Sequence, residues 1–242
     1  MSNQYFANFP EIQYKFADGN YATIKDLFRK AKIENERIDS IINYTYYEVQ
    51  EGDRPDVVAS RLYGDGDLYW TFFLVNDFLG SMNDWYRDSV IFDAFMNVKY
   101  PGYVLNATNS TDILTSSGKF LLGEAFTSSN GATGRLCEIN ATMKRIVAVY
   151  DGVLQSVAGN TITGNISGRS FTLASTSRHR DAVHHYLETS GVWSNLDNPT
   201  NTVVTNEEHE RNLNEEKRRI KIIEPRYIRQ VVREFESIMS IT

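Results

Sequence analysis

A short segment that is apolar on every side is the strongest constraint on the fold. Within residues 68–75, only Thr71 interrupts the aliphatic and aromatic side chains. Asp67 precedes the segment and suits a helix N-cap, so the pattern predicts a helix from Leu68 to about Asn76. A helix that is apolar all round must be covered on all sides. We therefore expect another segment of the chain, or a partner protein, to pack against it.

A strand and a first helix are predicted immediately before this segment. Residues 38–49 combine tyrosines with β-branched neighbours, which favours a strand near the end of the range. Pro55 suits the first turn of a helix, where its missing N–H has no helical partner. Gly64 suits the C-cap. The pattern predicts a helix over 55–63.

Further helices are expected on either side of this core. Residues 1–22 show no clear period and are predicted to form an extended arm, and Thr23 is expected to cap a short helix through about Lys32. Downstream, Asp88 is expected to cap a third helix that ends near Val98.

The composition changes sharply after the third helix. Residues 103–178 are rich in Gly, Ser, Thr and Asn with short β-type runs, which predicts a small antiparallel β domain. Residues 123–127 resemble residues 159–163, and each is followed by a turn and another strand-like run. This internal repeat predicts two similar hairpin units that form a sandwich or a barrel.

The C-terminal part returns to regular elements. Residues 190–206 are predicted to be a loop, 217–223 a short strand, and Pro225 the start of a helix. Six apolar side chains of this helix share one face: Ile228, Val231, Val232, Phe235, Ile238 and Met239. This stripe is expected to pack onto the helix at 68–76 or to dock in a partner.

The chain contains no recognisable catalytic or metal-binding motif. Its one cysteine, Cys137, excludes an intrachain disulfide and is expected to be a buried structural thiol. His184 and His185 are adjacent, so they are expected to face different directions, and no histidine pair has zinc-protease spacing. We predict no catalytic residue, no metal site and no cofactor.

The net charge and the hydropathy of the chain exclude further classes of protein. The net charge of −6 provides no basic excess to neutralise phosphates, so nucleic-acid binding is not expected. The N-terminus has no signal-peptide pattern, and no apolar run approaches the roughly 20 residues of a membrane helix.

The strand–helix–helix region resembles the LysM module, a small βααβ unit that typically binds N-acetylglucosamine polymers. The residues that carry the resemblance are Tyr47, Val49, Gly52, Asp53, Arg54, Pro55, Val58, Ala59, Tyr63, Gly64, Trp70 and Asn76. Glycan-binding members usually carry a small hydroxyl residue after the Gly-Asp pair. Arg54 stands there instead, so glycan binding is not expected.

A second resemblance covers more of the chain. Residues 54–65, 68–70, 76–77, 206–210 and 214–223 resemble the LysM-like baseplate wedge proteins of T-even-type contractile-tailed phages. Trp85, the helix that ends in Lys99-Tyr100 and the terminal helix resemble them too. The resemblance spans roughly residues 20–102 and 182–242, and residues 103–178 look like an insertion.

These resemblances imply an α+β fold. The expected architecture is a LysM-like βααβ core with flanking N- and C-terminal helices and an inserted small antiparallel β-sandwich or barrel. The expected domains are 1–102, an N-terminal arm plus the LysM-like wedge core, then 103–178, the inserted β domain. Residues 179–242 form a C-terminal strand and amphipathic helix that return to the core.

The implied function is structural rather than enzymatic. Such a protein clamps wedge subunits and joins neighbouring wedges in the virion tail baseplate, which assembles in the host cytoplasm. Its partners are other baseplate wedge proteins and neighbouring wedges. The alternative is a LysM protein that binds the peptidoglycan cell wall. The candidate partner-binding residues are Arg54, Pro55, Tyr63, Tyr69, Asn76, Trp85, Tyr86, Arg218, Arg219, Lys221, Ile228, Val231 and Phe235.

Overall fold

A computed structural model describes residues 5–27, 44–76, 82–108, 119–140, 145–152, 157–195 and 197–240. The fold is mixed α and β, as predicted. The chain divides into two compact units. Unit 1 is Met1–Ser89 with Leu213–Thr242, and unit 2 is Val90–Asn212.

The described residues contain five α-helices and thirteen strands. The helices are α1 Pro55–Tyr63, α2 Trp70–Val75, α3 Ser89–Lys99, α4 Asn206–Glu216 and α5 Ile228–Ser240. The strands are β1 Glu11–Lys15, β2 Tyr21–Lys25, β3 Tyr44–Glu48, β4 Tyr103–Ala107, β5 Ala125–Ser128, β6 Thr133–Asn140, β7 Arg145–Tyr150, β8 Thr161–Gly164, β9 Ser170–Arg178, β10 Val183–Leu187, β11 Trp193–Ser194, β12 Thr202–Thr205 and β13 Arg219–Ile223.

The centre of unit 1 is a two-stranded antiparallel sheet built from distant parts of the chain. β3 pairs with β13, with Tyr47 opposite Ile220. Residues from the sheet, α1, α2 and Trp85 form one buried cluster: Val49, Val58, Ala59, Phe72, Trp85, Ile220 and Ile222. Both strands fall where the sequence predicts them.

Helix α1 has the predicted bounds and the predicted caps. Pro55 occupies its first turn, and Gly64 ends it in the left-handed conformation with φ 76°. The Gly64 N–H donates to the Ser60 carbonyl oxygen at 3.0 Å. A side chain with a Cβ would be strained at that φ, which explains the glycine.

The start of the next helix was predicted incorrectly. Asp67 is not an N-cap; instead the Asp65 side chain accepts a hydrogen bond from the Asp67 backbone N–H at 2.9 Å. This contact caps a 3-10 turn at Gly66–Tyr69, and α2 begins only at Trp70. The short acidic segment forms its own side-chain-to-backbone turn before the α-helix starts.

Helix α2 is covered by other segments of the same chain. One buried cluster joins it to α5, β13 and the N-terminal segment: Phe9, Leu68, Trp70, Val75, Ile223, Ile228, Val231, Val232, Phe235 and Met239. The ring centroids of Trp70 and Phe235 lie 4.4 Å apart. Of the predicted apolar stripe on α5, five side chains are buried and Ile238 is 60% exposed.

The N-terminal segment differs from its prediction. It forms an antiparallel hairpin of β1 and β2, in which Gln13 lies opposite Thr23. The expected helix start at Thr23 is therefore wrong, since residues 21–25 form a strand and Leu27 lies in a turn; residues 28–32 of the predicted helix lie outside the described residues. Asp18-Gly19 forms the turn, and Gly19 has φ 87°, which a glycine adopts without strain.

Unit 2 contains a closed barrel of six strands. The strand order is β4-β7-β6-β5-β8-β9. Of the two predicted architectures, a sandwich or a barrel, the barrel is the one that forms. Its core is Leu105, Phe120, Phe126, Leu136, Ile146, Ala148, Tyr150, Ile162, Phe171 and Leu173. Cys137 is exposed rather than buried, because strand alternation places Leu136 inside the barrel and Cys137 outside.

The internal repeat is confirmed as two hairpins with equivalent contacts. β5 and β8, which contain the repeated segments, pair with each other antiparallel. The Asn165 N–H donates to the Ala125 carbonyl at 2.9 Å, and the Ser129 N–H donates to the Thr161 carbonyl at 2.8 Å. These two bonds are related by the repeat, so the hairpins meet around a local pseudo-two-fold axis.

The remainder of unit 2 includes a second, three-stranded sheet. Its order is β11-β10-β12, and α4 follows β12 directly. The stretch 190–206, predicted to be a loop, therefore contributes two short strands. Tertiary pairing with β10 stabilises strands that the polar sequence alone does not indicate.

We expect the barrel to be separable from the rest of the chain. The His179 N–H donates to the Gly102 carbonyl at 2.9 Å, so the two ends of the barrel segment are adjacent. Replacing residues 104–178 with a short Gly-Ser linker should leave unit 1 folded. Urea unfolding followed by tryptophan fluorescence should retain a cooperative transition. Loss of that transition would contradict the prediction.

Candidate protein interface

The structure divides the candidate partner-binding residues into a buried and an accessible group. The buried group consists of Pro55, Asn76, Trp85, Ile228, Val231 and Phe235. These side chains pack in the core of folded unit 1, and their contact with a partner stays a prediction. Ile228, Val231 and Phe235 are buried because the apolar stripe of α5 packs against apolar side chains of α2.

Asn76 connects α2 to β13. Its amide nitrogen donates to the carbonyl oxygens of Phe72 and Lys221, both at 2.8 Å. Its amide oxygen accepts from the Lys221 N–H at 2.8 Å. The side chain thus hydrogen-bonds both backbone groups of Lys221 and secures this edge of the sheet.

Trp85 and Asp53 hold the loop between β3 and α1. The Trp85 indole N–H donates to the Asp53 carbonyl at 2.8 Å. The Asp53 carboxylate accepts from the Tyr47 hydroxyl, the Gln50 N–H and the Arg61 guanidinium at 2.6, 3.0 and 3.0 Å. Burial alone would raise the pKa of Asp53, but these hydrogen bonds outweigh it and lower the pKa.

Arg54 lies on the exposed side of this loop. Its guanidinium makes two hydrogen bonds to the Asp56 carboxylate, at 3.2 and 2.9 Å. Among the other candidates, half-buried Tyr63 donates to the Ile223 carbonyl at 3.0 Å, and burial raises its pKa to about 12. Half-buried Tyr69 packs edge-on against Phe73.

Aromatic and cationic side chains meet on the outer face of the β3–β13 sheet. We call Tyr44, Tyr46, Arg219 and Lys221 the basic aromatic face. The Arg219 guanidinium lies 4.2 Å from the centre of the Tyr46 ring, and the Lys221 ammonium lies 4.6 Å from that of Tyr44. Tyr46 is 50% exposed. Cation–π contacts order these side chains while they stay accessible.

Arg218 and Tyr86 form a separate group beside this face. The Arg218 guanidinium lies 5.3 Å from the centre of the Tyr86 ring and 3.2 Å from a Glu215 carboxylate oxygen. The Tyr86 hydroxyl donates to the Glu51 carboxylate at 3.3 Å. Both candidates are thus engaged within unit 1, and Arg219 presents the more accessible cation.

A second aromatic surface was missed by the sequence reasoning. The hairpin of β1 and β2 exposes Tyr14 and Phe16 on one face, by 43% and 46%, and Tyr21 on the other face, by 64%. We call it the aromatic hairpin. The turn signal Asp18-Gly19 between two aromatic runs was available and favours a hairpin.

Residues 4–103 match the family of base plate wedge protein 53. This match supports a phage baseplate wedge protein. Its place is therefore the virion tail baseplate. No curated protein matches the chain.

The match identifies which structural elements of this wedge protein are similar to the family. It includes the aromatic hairpin, β3, α1, α2 and α3, and it ends where the barrel begins. The family is one of structural baseplate proteins rather than enzymes. Among the described residues, no helix is long and apolar enough to cross a membrane.

The side-chain directions of two histidines differ from the prediction. His184 and His185 do not face different directions: their Nδ1 atoms lie 2.8 Å apart. The pairing of β10 with β12 shifts register between Val183 and His185, which breaks the normal alternation of side chains. His209 of α4 joins them, and potential ligand atoms of all three lie within 4.8 Å of one another.

Proposed function

We propose that unit 1 of this wedge protein is a LysM-like adaptor that clamps baseplate wedge subunits together and joins neighbouring wedges. The observation that carries the proposal is the exposure of two aromatic surfaces on the unit that holds the family match. Exposed aromatic clusters on a folded protein are characteristic of interaction sites. The partners are other baseplate wedge proteins.

The order of elements supports the LysM-like interpretation of unit 1. β3 is followed by α1 and α2, and β13 completes an antiparallel pair with β3. This gives a βααβ arrangement whose helices share a buried cluster with the sheet. Its second strand comes from the C-terminal segment rather than directly after α2, so the βααβ core includes both parts of unit 1.

The basic aromatic face suits a partner with acidic groups. The chain carries a net charge of −6, yet Arg219 and Lys221 place two cations side by side on this face. Tyrosine and arginine are the side chains that most often dominate interface energies. Because the cations already lie over tyrosine rings, less side-chain freedom is lost on binding.

The aromatic hairpin suits a partner that covers it. An isolated two-stranded hairpin is only marginally stable in water. In the described residues of unit 1, it is tied to the neighbouring segment by a hydrogen bond from the Lys25 ammonium to the Phe9 carbonyl at 3.0 Å. A partner that removes Tyr14 and Phe16, which share one face of the hairpin, from water stabilises it.

Charge reversal on the basic aromatic face tests the proposal. Arg219→Glu with Lys221→Glu should reduce capture of co-expressed wedge proteins at least about tenfold, since one hot-spot side chain contributes about 2 kcal/mol or more. The unfolding midpoint of the free protein should change little. Quantitative co-purification measures the first effect and thermal unfolding the second.

The matched control carries the same charge change on the barrel. Lys119→Glu with Arg135→Glu alters two exposed cations there and should leave capture intact. If the sheet variant captures its partners as well as the unmodified protein does, the basic aromatic face is not a docking surface.

We expect no tight binding of chito-oligomers or peptidoglycan fragments. In the loop where a LysM sugar would lie, Arg54 is paired with Asp56, and the Asp53 carbonyl is already bonded by Trp85. Calorimetry should detect no micromolar affinity. Micromolar binding of a chito-oligomer would favour the cell-wall alternative over the adaptor.

A further inference from the structure

We propose that His184, His185 and His209 form a binding site for a divalent transition-metal ion, with Zn²⁺ the best fit, that links β10 to α4 within unit 2. This site is independent of the docking surfaces of unit 1. The sequence does not predict it, because neighbouring residues on a regular strand point to opposite faces.

The geometry of the three rings fits such an ion. Their potential ligand atoms lie within 4.8 Å of one another, and the Nδ1 atoms of His184 and His185 are 2.8 Å apart. In a tetrahedral zinc site the metal–nitrogen bonds are about 2.0–2.1 Å, which places neighbouring ligand nitrogens about 3.3 Å apart. Small rotations of the rings are enough to reach that arrangement.

The chemistry of the ligand set is appropriate for zinc and related ions. Neutral imidazole is a preferred ligand of Zn²⁺, Ni²⁺ and Cu²⁺. Each neutral histidine ring offers one nitrogen lone pair to such an ion.

The surroundings leave one coordination position open. Trp193 stacks on His185 with ring centroids 4.0 Å apart and covers that side of the cluster. The nearby Glu210 carboxylate accepts hydrogen bonds from the Lys99 ammonium and the Tyr100 hydroxyl, at 2.7 and 2.8 Å. Because Glu210 is engaged there, a water molecule is the expected fourth ligand.

The local fold provides a reason for a metal. In the stretch 183–205, leaving aside residue 196, only His185 and Val204 are buried. A three-stranded sheet with so little apolar core gains considerably from a cross-link. Two ligands come from β10 and one from the first turns of α4, so the ion fixes the sheet to the helix.

Metal counting on the full-length chain tests the site. The protein is purified with a tag that lacks histidine, stripped with a chelator, equilibrated with Zn²⁺ and desalted. Mass spectrometry of the metal content should give one Zn²⁺ per chain. The thermal unfolding midpoint should rise with Zn²⁺ concentration, because the ion binds only the folded form. Failure of the stripped protein to retain Zn²⁺ overturns the proposal.

Histidine variants assign the ligands. His184→Gln and His209→Gln should each weaken Zn²⁺ binding at least about tenfold. His179→Gln is the matched control, because His179 is the remaining histidine and its Nδ1 contacts the Pro101 carbonyl instead. Binding that is unchanged in His209→Gln, with a folded circular dichroism spectrum, also overturns the proposal.

A measurement on the unmodified chain does not depend on how the variants fold. Nitrogen-15 spectra of the histidine rings should show three rings that shift on addition of one equivalent of Zn²⁺, and a fourth that does not. Shifts confined to one ring, or spread over all four, would contradict a three-histidine site.

Discussion

Trp70→Ala should lower the free energy of unfolding of unit 1 by about 3–5 kcal/mol, as expected for a buried tryptophan replaced by alanine. Trp70 is only 5% exposed. Its ring centroid lies 4.4 Å from that of Phe235 on α5 and 5.7 Å from that of Tyr5. The substitution therefore leaves a cavity where α2, α5 and the N-terminal segment meet. Denaturant unfolding monitored by near-UV circular dichroism measures the loss.

The chain offers a matched control for this substitution. Trp193 lies in unit 2 and is 59% exposed. In metal-free protein, Trp193→Ala should cost about 1 kcal/mol or less, because surface substitutions have small effects. Equal unfolding midpoints for Trp70→Ala and the unmodified protein would show that the core of unit 1 is not organised around this side chain.

Local signals in the sequence were sufficient for several elements. Pro55 and Gly64 mark the two ends of α1 because each satisfies a backbone requirement of a helix terminus. The spacing of Ile228, Val231 and Phe235 predicts the buried face of α5 for the same local reason. The repeat in the barrel is visible because its two hairpins have similar turns and strands.

Features that depend on distant contacts were not predictable from the sequence. β3 has its partner in β13, from the other end of the chain, and a local pattern cannot specify such a pairing. The histidine cluster depends on an irregular register in β10 and on the position of α4. The spacing of His184, His185 and His209 in the sequence indicates neither the register shift nor the position of α4.

The candidate docking residues illustrate the same limit. The apolar stripe of α5 had two possible covers, α2 or a partner protein, and hydrophobicity alone does not distinguish them. In the folded unit, α2 covers Val231 and Phe235. The accessible candidates are polar or amphipathic, such as Arg219 and Lys221, whose charged groups lie over tyrosine rings.

A chain that ends at Asn214 should fail to join assembled baseplate wedges. The truncation removes β13, which supplies the only described partner strand of β3, and with it Ile220 and Ile222 of the inner cluster. It also removes α5, whose five buried apolar side chains contribute on the order of 10 kcal/mol before entropy costs. That loss is comparable to the whole stability of a typical domain, about 5–15 kcal/mol.

The double variant Val231→Asp with Phe235→Asp should have the same effect on assembly without shortening the chain, because it places two charges in the buried face of α5. In both cases the barrel should stay folded, since its core contains no residue of α5.

Gln230→Asp with Ile238→Asp is the matched control, because both side chains lie on the exposed face of the same helix. Co-purification with the other wedge proteins measures assembly, and near-UV circular dichroism of the free protein separates misfolding from lost docking. If the truncated chain enters complete wedges at normal stoichiometry, neither β13 nor α5 is needed for assembly, and the adaptor role of unit 1 is wrong.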